Sequence, residues 1–187
     1  MKKLFGLFLA GCLTASGIFA EGGKTAFVYF SATGTTAKMA QKGALSLNAD
    51  LFEIVPEHKY TDADLNWHDR KSLTTIECND IKARPVIKSV VLKNESSVQF
   101  DASKYDNVIL CYPIWWGMAP KIMYTFVEGQ NFSGKKIVTL CTSGGSGLGR
   151  SGKDLVNYAK GAEFKGGKDF TYAGGEEIKK YVEGLLK

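Results

Sequence analysis

The chain has four cysteines, at positions 12, 78, 111 and 141, but no C-x-x-C pair, which argues against a zinc site or a dithiol redox centre. Histidine is scarce. His58 and His68 are the only two, both in a polar stretch where surface exposure is expected, so general acid–base catalysis has few candidates. No run of basic residues occurs, and a formal charge of +5 over 187 residues is mild, which sets nucleic acid aside as a partner. No G-x-G-x-x-G follows the first predicted strand. In "GLGRSGKD", Gly147, Gly152 and Lys153 have P-loop spacing, but Asp154 stands where a Mg²⁺-binding Ser or Thr is required. An ordinary triphosphate or dinucleotide site is thereby excluded.

The longest apolar run opens the chain, "MKKLFGLFLAGCLTASGIFA". Two lysines, an apolar stretch with small residues and an end at Ala20 read as a secretory signal over residues 1–20. "LAGC" offers an alternative, a lipobox that would leave a lipidated Cys12 at the new N-terminus; the apolar run continues past it, which favours cleavage near Ala20. Either way export is expected, to the periplasm or beyond. A twin arginine is missing, so the chain should cross unfolded and take up any cofactor afterwards. Losing Lys2 and Lys3 with the leader lowers the formal charge from +5 to +3. Without Cys12 the cysteine count is odd. Cys111 and Cys141 close corresponding strands, and whether they pair depends on Cβ directions that sequence does not show.

From residue 24 to 187 the pattern is that of one α/β domain. Strands are predicted at 25–30, 49–55, 105–114 and 135–143, and a weak edge strand in "EFKGGKDFT". Helices are predicted at 35–47, at 120–128 with Pro120 in the first position, at 149–162, and in "EEIKKYVEGLL". Alternation of this kind implies a parallel sheet with right-handed crossovers. Residues 57–100 lack a clear period, with room for a short helix and an extended "SVVLK"; a stretch of this length often borders a site.

Ligands in open α/β sheets collect beyond the carboxyl ends of the strands. Three such ends are unusual. In "YFSATGTTAKMA", Ser31, Ala32, Thr33, Gly34, Thr35 and Thr36 place four hydroxyls and a glycine, and no charge, where a strand passes into a helix. A helix N-terminus has unpaired N–H groups and a partial positive charge, so this junction can hold a phosphate. One helix cap needs one hydroxyl, and four exceed that need. In "YPIWWGMAP", Pro113, Ile114, Trp115, Trp116 and Gly117 follow a buried strand with an aromatic surface on which a planar ring can stack. In "CTSGGSGLGRS", Thr142, Ser143, Gly144 and Gly145 allow either close backbone approach to a polar ring or a plain flexible turn.

Phosphate, planar ring and doubly wound sheet point to FMN, and here the sequence resembles the flavodoxin family. Its phosphate loop has the form S/T-x-T-G-x-T, matched by Ser31, Thr33, Gly34 and Thr36, and its second flavin loop holds a Trp-Gly pair, matched by Trp116-Gly117. The resemblance implies a five-stranded parallel sheet in order 2-1-3-4-5, non-covalent FMN and one-electron transfer with a redox partner protein, here periplasmic or membrane-bound, by a monomer. It implies a phosphate cradled by residues 31–36, a flavin stacked on Trp115 or Trp116, a peptide after Gly117 that turns its carbonyl toward the ring, and backbone of residues 143–146 at the ring's polar edge. Three features depart from the family: no Tyr in the third loop to cover the second flavin face, which Trp67 or Tyr60 could cover or which stays open; a positive mature chain where the family is acidic; and export. The expectation is an exported electron carrier. The alternatives are an FMN-dependent oxidoreductase acting on quinones or similar acceptors, and a binding module that has lost redox work.

Overall fold

The structure, a computed structural model, describes residues 23–187; the leader, the lipobox and Cys12 lie outside the described residues. The elements are β1 (Thr25–Tyr29), α1 (Thr35–Leu47), β2 (Asp50–Pro56), α2 (Leu73–Asn79), β3 (Ile87–Leu92), β4 (Glu95–Gln99), β5 (Asn107–Pro113), α3 (Lys121–Glu128), β6 (Lys136–Thr142), α4 (Ser151–Val156), β7 (Glu163–Asp169) and α5 (Gly175–Leu186). They form one sheet of seven strands in the order β4-β3-β2-β1-β5-β6-β7.

The five strands predicted from sequence are all present. β2, β1, β5, β6 and β7 run parallel in the expected order. The count of five is corrected to seven, because β3 and β4 extend the sheet antiparallel beyond β2. Their residues are half-buried or exposed, and Val98 is the only residue of β4 that is not fully exposed. A hairpin on the rim needs no continuous apolar run, so "KNESSVQ" hides its strand behind polar residues. It covers what would have been an open sheet edge on β2.

Side chains alternate along the central strands and fill two cores. Ala26, Val28, Val108, Leu110 and Tyr112 face Ile122, Met123, Phe126 and Leu155 of α3 and α4. Phe27, Tyr29, Ile109 and Leu140 face Met39, Ala40, Ala44, Ile178 and Val182 of α1 and α5. The same alternation decides the cysteine question. Cys111 lies in the second core and Cys141 in the first, so their side chains leave the sheet on opposite faces and cannot join. Cys78, Cys111 and Cys141 are buried free thiols.

The helix predicted at 149–162 is shorter than expected. After Val156 the hydrogen bonds tighten, from Tyr158 N–H to Leu155 and from Ala159 N–H to Val156, and the chain turns away toward β7. Pro120 stands just outside α3 rather than in its first position. All the parallel strands end on one side, and the three loops singled out above meet there.

Candidate functional site

The first loop leaves β1 through Ser31 and turns at Gly34, whose φ of +89° lies in the left-handed region. An L side chain there would cost about 1–2 kcal/mol, and a Cβ would point into open space rather than into the protein. The turn is held by the Gly34 N–H, which donates to Ser31 Oγ at 3.0 Å. Helix α1 then begins with no side-chain cap and no acidic residue in its first turn. Its N-terminal donors and partial charge face the loop uncompensated. Thr33 and Thr35 are exposed and their hydroxyls have no partner among the described residues. Thr36 is buried, its Oγ1 2.7 Å from Thr142 Oγ1, so these two hydroxyls share one hydrogen bond and leave one hydrogen for a ligand.

The second loop is a tight hairpin. Trp115 and Met118 exchange both backbone hydrogen bonds at 3.0 Å across Trp116 and Gly117, which have φ of +52° and +75°. Positive φ at both central residues is the geometry of a type I′ turn, natural for glycine and an outlier for a bulky side chain. Behind this turn Trp115 is wedged edge-on against Phe30 and Tyr60, with ring centroids 5.6 and 5.2 Å away. The Tyr60 hydroxyl donates to Glu77 at 2.8 Å, and burial pushes the Glu77 carboxyl above its ordinary range. Tyr60 therefore supports Trp115 from the rear and does not line the cavity, whereas Trp67 does. Trp116 is 51% exposed at the mouth.

The third loop is held by its own polar groups. Ser143 Oγ donates to Asp169 at 2.5 Å and accepts from the N–H groups of Gly145 and Gly147 at 3.1 and 3.0 Å. Thr171 Oγ1 accepts from the Ser143 N–H at 2.8 Å and donates to Asp169 at 2.6 Å. Burial acts to raise the Asp169 carboxyl, but the hydrogen bonds from Ser143 and Thr171 outweigh it and leave the group below its ordinary range.

Together the loops enclose a cavity of about 540 Å³, within the range of small-molecule sites. Of the residues predicted from sequence, Ser31, Ala32, Thr33, Thr35, Thr36, Pro113, Ile114, Trp115, Trp116, Thr142, Ser143 and Gly144 line it; Gly34, Gly117 and Gly145 shape the turns without lining it. Leu65, Thr74 and Thr171 also line it and carry no sequence signal. No lining residue is charged. His58 sits outside, hydrogen-bonded to Asp64 at 2.9 Å, and His68 packs on Trp67 with centroids 3.5 Å apart. Neither histidine lines the cavity, and both are exposed, as their polar surroundings suggested.

This arrangement suits a phosphate carrying a flat ring, and comparison with known proteins agrees. A family model described as flavodoxin matches residues 24–185. The chain belongs to the flavodoxin family. Family membership brings FMN as the cofactor, which the uncapped α1 terminus and the paired tryptophans fit. Among solved structures, a protein of Bacteroides eggerthii DSM 20697 with the provisional name flavoprotein is 38% identical, covering 88% of this chain and 99% of its own, with a TM-score of 0.78. A similarly named protein of Bacteroides uniformis ATCC 8492 is 37% identical over 87% of this chain and 99% of its own, with a TM-score of 0.77. A flavoprotein of Lactobacillus acidophilus NCFM, solved in complex with FMN, is 21% identical over 86% and 99%, with a TM-score of 0.62, and shares the fold. No curated protein matches the chain.

Proposed function

We propose that this flavodoxin-family protein is an electron carrier that works after export and exchanges single electrons with a partner protein. The observation that carries the reading is the uncharged cavity, which joins the free donors of the α1 N-terminus to the indoles of Trp115 and Trp116. A dianion needs no lysine where backbone N–H groups and hydroxyls converge, since each hydrogen bond to a charged group contributes about 1.5–3 kcal/mol. Bound FMN supplies the redox chemistry; the chain binds, orients and tunes it.

In this reading Thr33, Thr35 and Thr36 hold the phosphate, and Trp115, stiffened from behind by Phe30 and Tyr60, gives one ring face a fixed wall. Trp116 and Trp67 flank the opening through which a partner approaches. No titratable side chain among the described residues lines the cavity, which supports a carrier over an oxidoreductase that must deliver protons to a substrate. The absence of carboxylates also weakens repulsion of added electrons, so a reduction potential less negative than is usual for the family is part of the proposal.

The test is stepwise reduction of the purified chain loaded with FMN, followed by visible absorption and EPR. A carrier holds a stable odd-electron state and turns over NAD(P)H slowly. Direct two-electron reduction with rapid NAD(P)H turnover would replace the carrier reading with the oxidoreductase. A very low second potential would reject the electrostatic argument.

A further inference from the structure

A second cavity, of about 400 Å³, opens beside the same hairpin and is walled by Cys78, Met118, Lys121, Tyr124, Asp154 and Tyr158. Its unusual member is Lys121. The residue begins α3, is only 5% exposed, and has no ion pair or hydrogen bond from Nζ among the described residues. Its nearest compensation is the Tyr124 ring, 5.2 Å from Nζ. Nζ is not among the fully buried polar atoms that lack a partner, so the stem is covered while the ammonium end reaches the solvent of the cavity. The neighbouring groups do not neutralise it. Burial pushes the Cys78 thiol up to about 11, so it stays protonated. Glu77 accepts from Tyr60, and Asp154 is turned toward Arg150 at 3.4 Å.

We infer that this cavity binds a small aromatic carboxylate, with Lys121 as the counter-charge. The ring class follows from the walls: Tyr124 and Tyr158 pack edge-to-face with centroids 5.2 Å apart, flanked by Met118 and by Ile81, which is 70% exposed. A monoanion follows from the charge balance, because one ammonium faces the cavity and Asp154 would repel a second negative charge. Asn157, also in the lining, adds an exposed side-chain amide as a further donor. The site stands apart from the flavin reading but touches it mechanically. Met118 lines this cavity while Trp116, two residues earlier in the same hairpin, lines the first, so an occupant can press on the flavin wall.

The experiment is an NMR titration of the ¹⁵N-labelled chain without flavin, using sodium benzoate and, separately, benzyl alcohol. Saturable benzoate shifts centred on Met118, Lys121 and Tyr124 are expected, with benzyl alcohol at least tenfold weaker. Lys121→Met should weaken benzoate at least tenfold, and Asp154→Asn should tighten it about two- to threefold. If Lys121→Met does not fold, the benzoate-to-alcohol ratio on the unaltered chain decides. Equal affinities for the two probes, shifts centred on the first cavity, or no saturation would overturn the proposal. None of these outcomes bears on FMN.

Discussion

The first and third loops are built from the same residue types and use them in opposite ways. Both follow a parallel strand, both lead toward a helix, and both are rich in serine, threonine and glycine. In the third, Ser143 spends its hydroxyl on Asp169, Gly145 and Gly147, and Thr171 closes the network from β7's end. In the first, Thr33 and Thr35 have no partner among the described residues and the helix goes uncapped. A loop that satisfies itself is scaffold. A loop that leaves donors unused at a helix N-terminus is completed by a ligand, and the contrast separates the two where composition does not.

Breaking the first loop should have the largest effect. Thr33→Ala with Thr36→Ala removes two donors to a dianion, and FMN affinity should fall by about 3 kcal/mol or more, roughly two orders of magnitude. Riboflavin, which lacks the phosphate, should bind nearly as before; equal losses measured by calorimetry would remove the phosphate assignment. Breaking the third loop should look different. Ser143→Ala strands two backbone N–H groups and a carboxylate oxygen, so it should cost about 1–3 kcal/mol in denaturant unfolding. It should weaken FMN and riboflavin by the same factor, because the loop touches no phosphate. A phosphate-selective loss in Ser143→Ala would erase the distinction.

How much of this was legible in the sequence follows the same physics. The central strands announce themselves, since residues 108–112 are apolar without a break and are fully buried on both faces. The first two site loops were legible because their residues are wasteful unless a ligand is present: surplus hydroxyls at a cap, adjacent indoles past the end of a strand. Of the β3–β4 hairpin only the extended "SVVLK" of β3 was legible; β4 was not, because a rim strand tolerates polar residues and leaves no period to read. Leu65 and Thr74 were invisible for another reason. They reach the cavity through the fold of residues 57–80, a long-range placement that no local spacing encodes. Whether Trp67 or Tyr60 covers the second ring face, or neither, was left open by the sequence; Tyr60 packs behind Trp115, because an aromatic residue in a polar segment says that it is buried somewhere and not against what.

The second loop offers a finer test of the division between self-satisfaction and function. Trp116 holds φ of +52° in a type I′ turn whose favoured first residues are Asn and Gly. Trp116→Asn should therefore stabilise the flavin-free chain by about 1 kcal/mol, read as a higher denaturation midpoint, while lowering FMN affinity. If both quantities rise, the strain serves no ligand. Thiol titration should show no rapidly reacting group at Cys78, Cys111 or Cys141 before denaturation and free thiols at all three afterwards, since burial raises each of them.

The smallest expected effect is a pH dependence confined to the third loop. The Asp169 carboxyl titrates below its ordinary value of 3.8 in the folded chain, so folding favours its charged form. The stability it contributes is fully present above that ordinary value and is lost as pH falls through the lower, folded one. Asp169→Asn should remove this slope below about pH 4 while leaving phosphate selectivity intact, because the first loop contains no titratable side chain to share it. Asp50, Asp64, Asp101 and Glu128 are also held low and keep part of the acid slope in any variant, so a slope wholly unchanged in Asp169→Asn would mean that the network around Ser143 is not what holds the third loop in place.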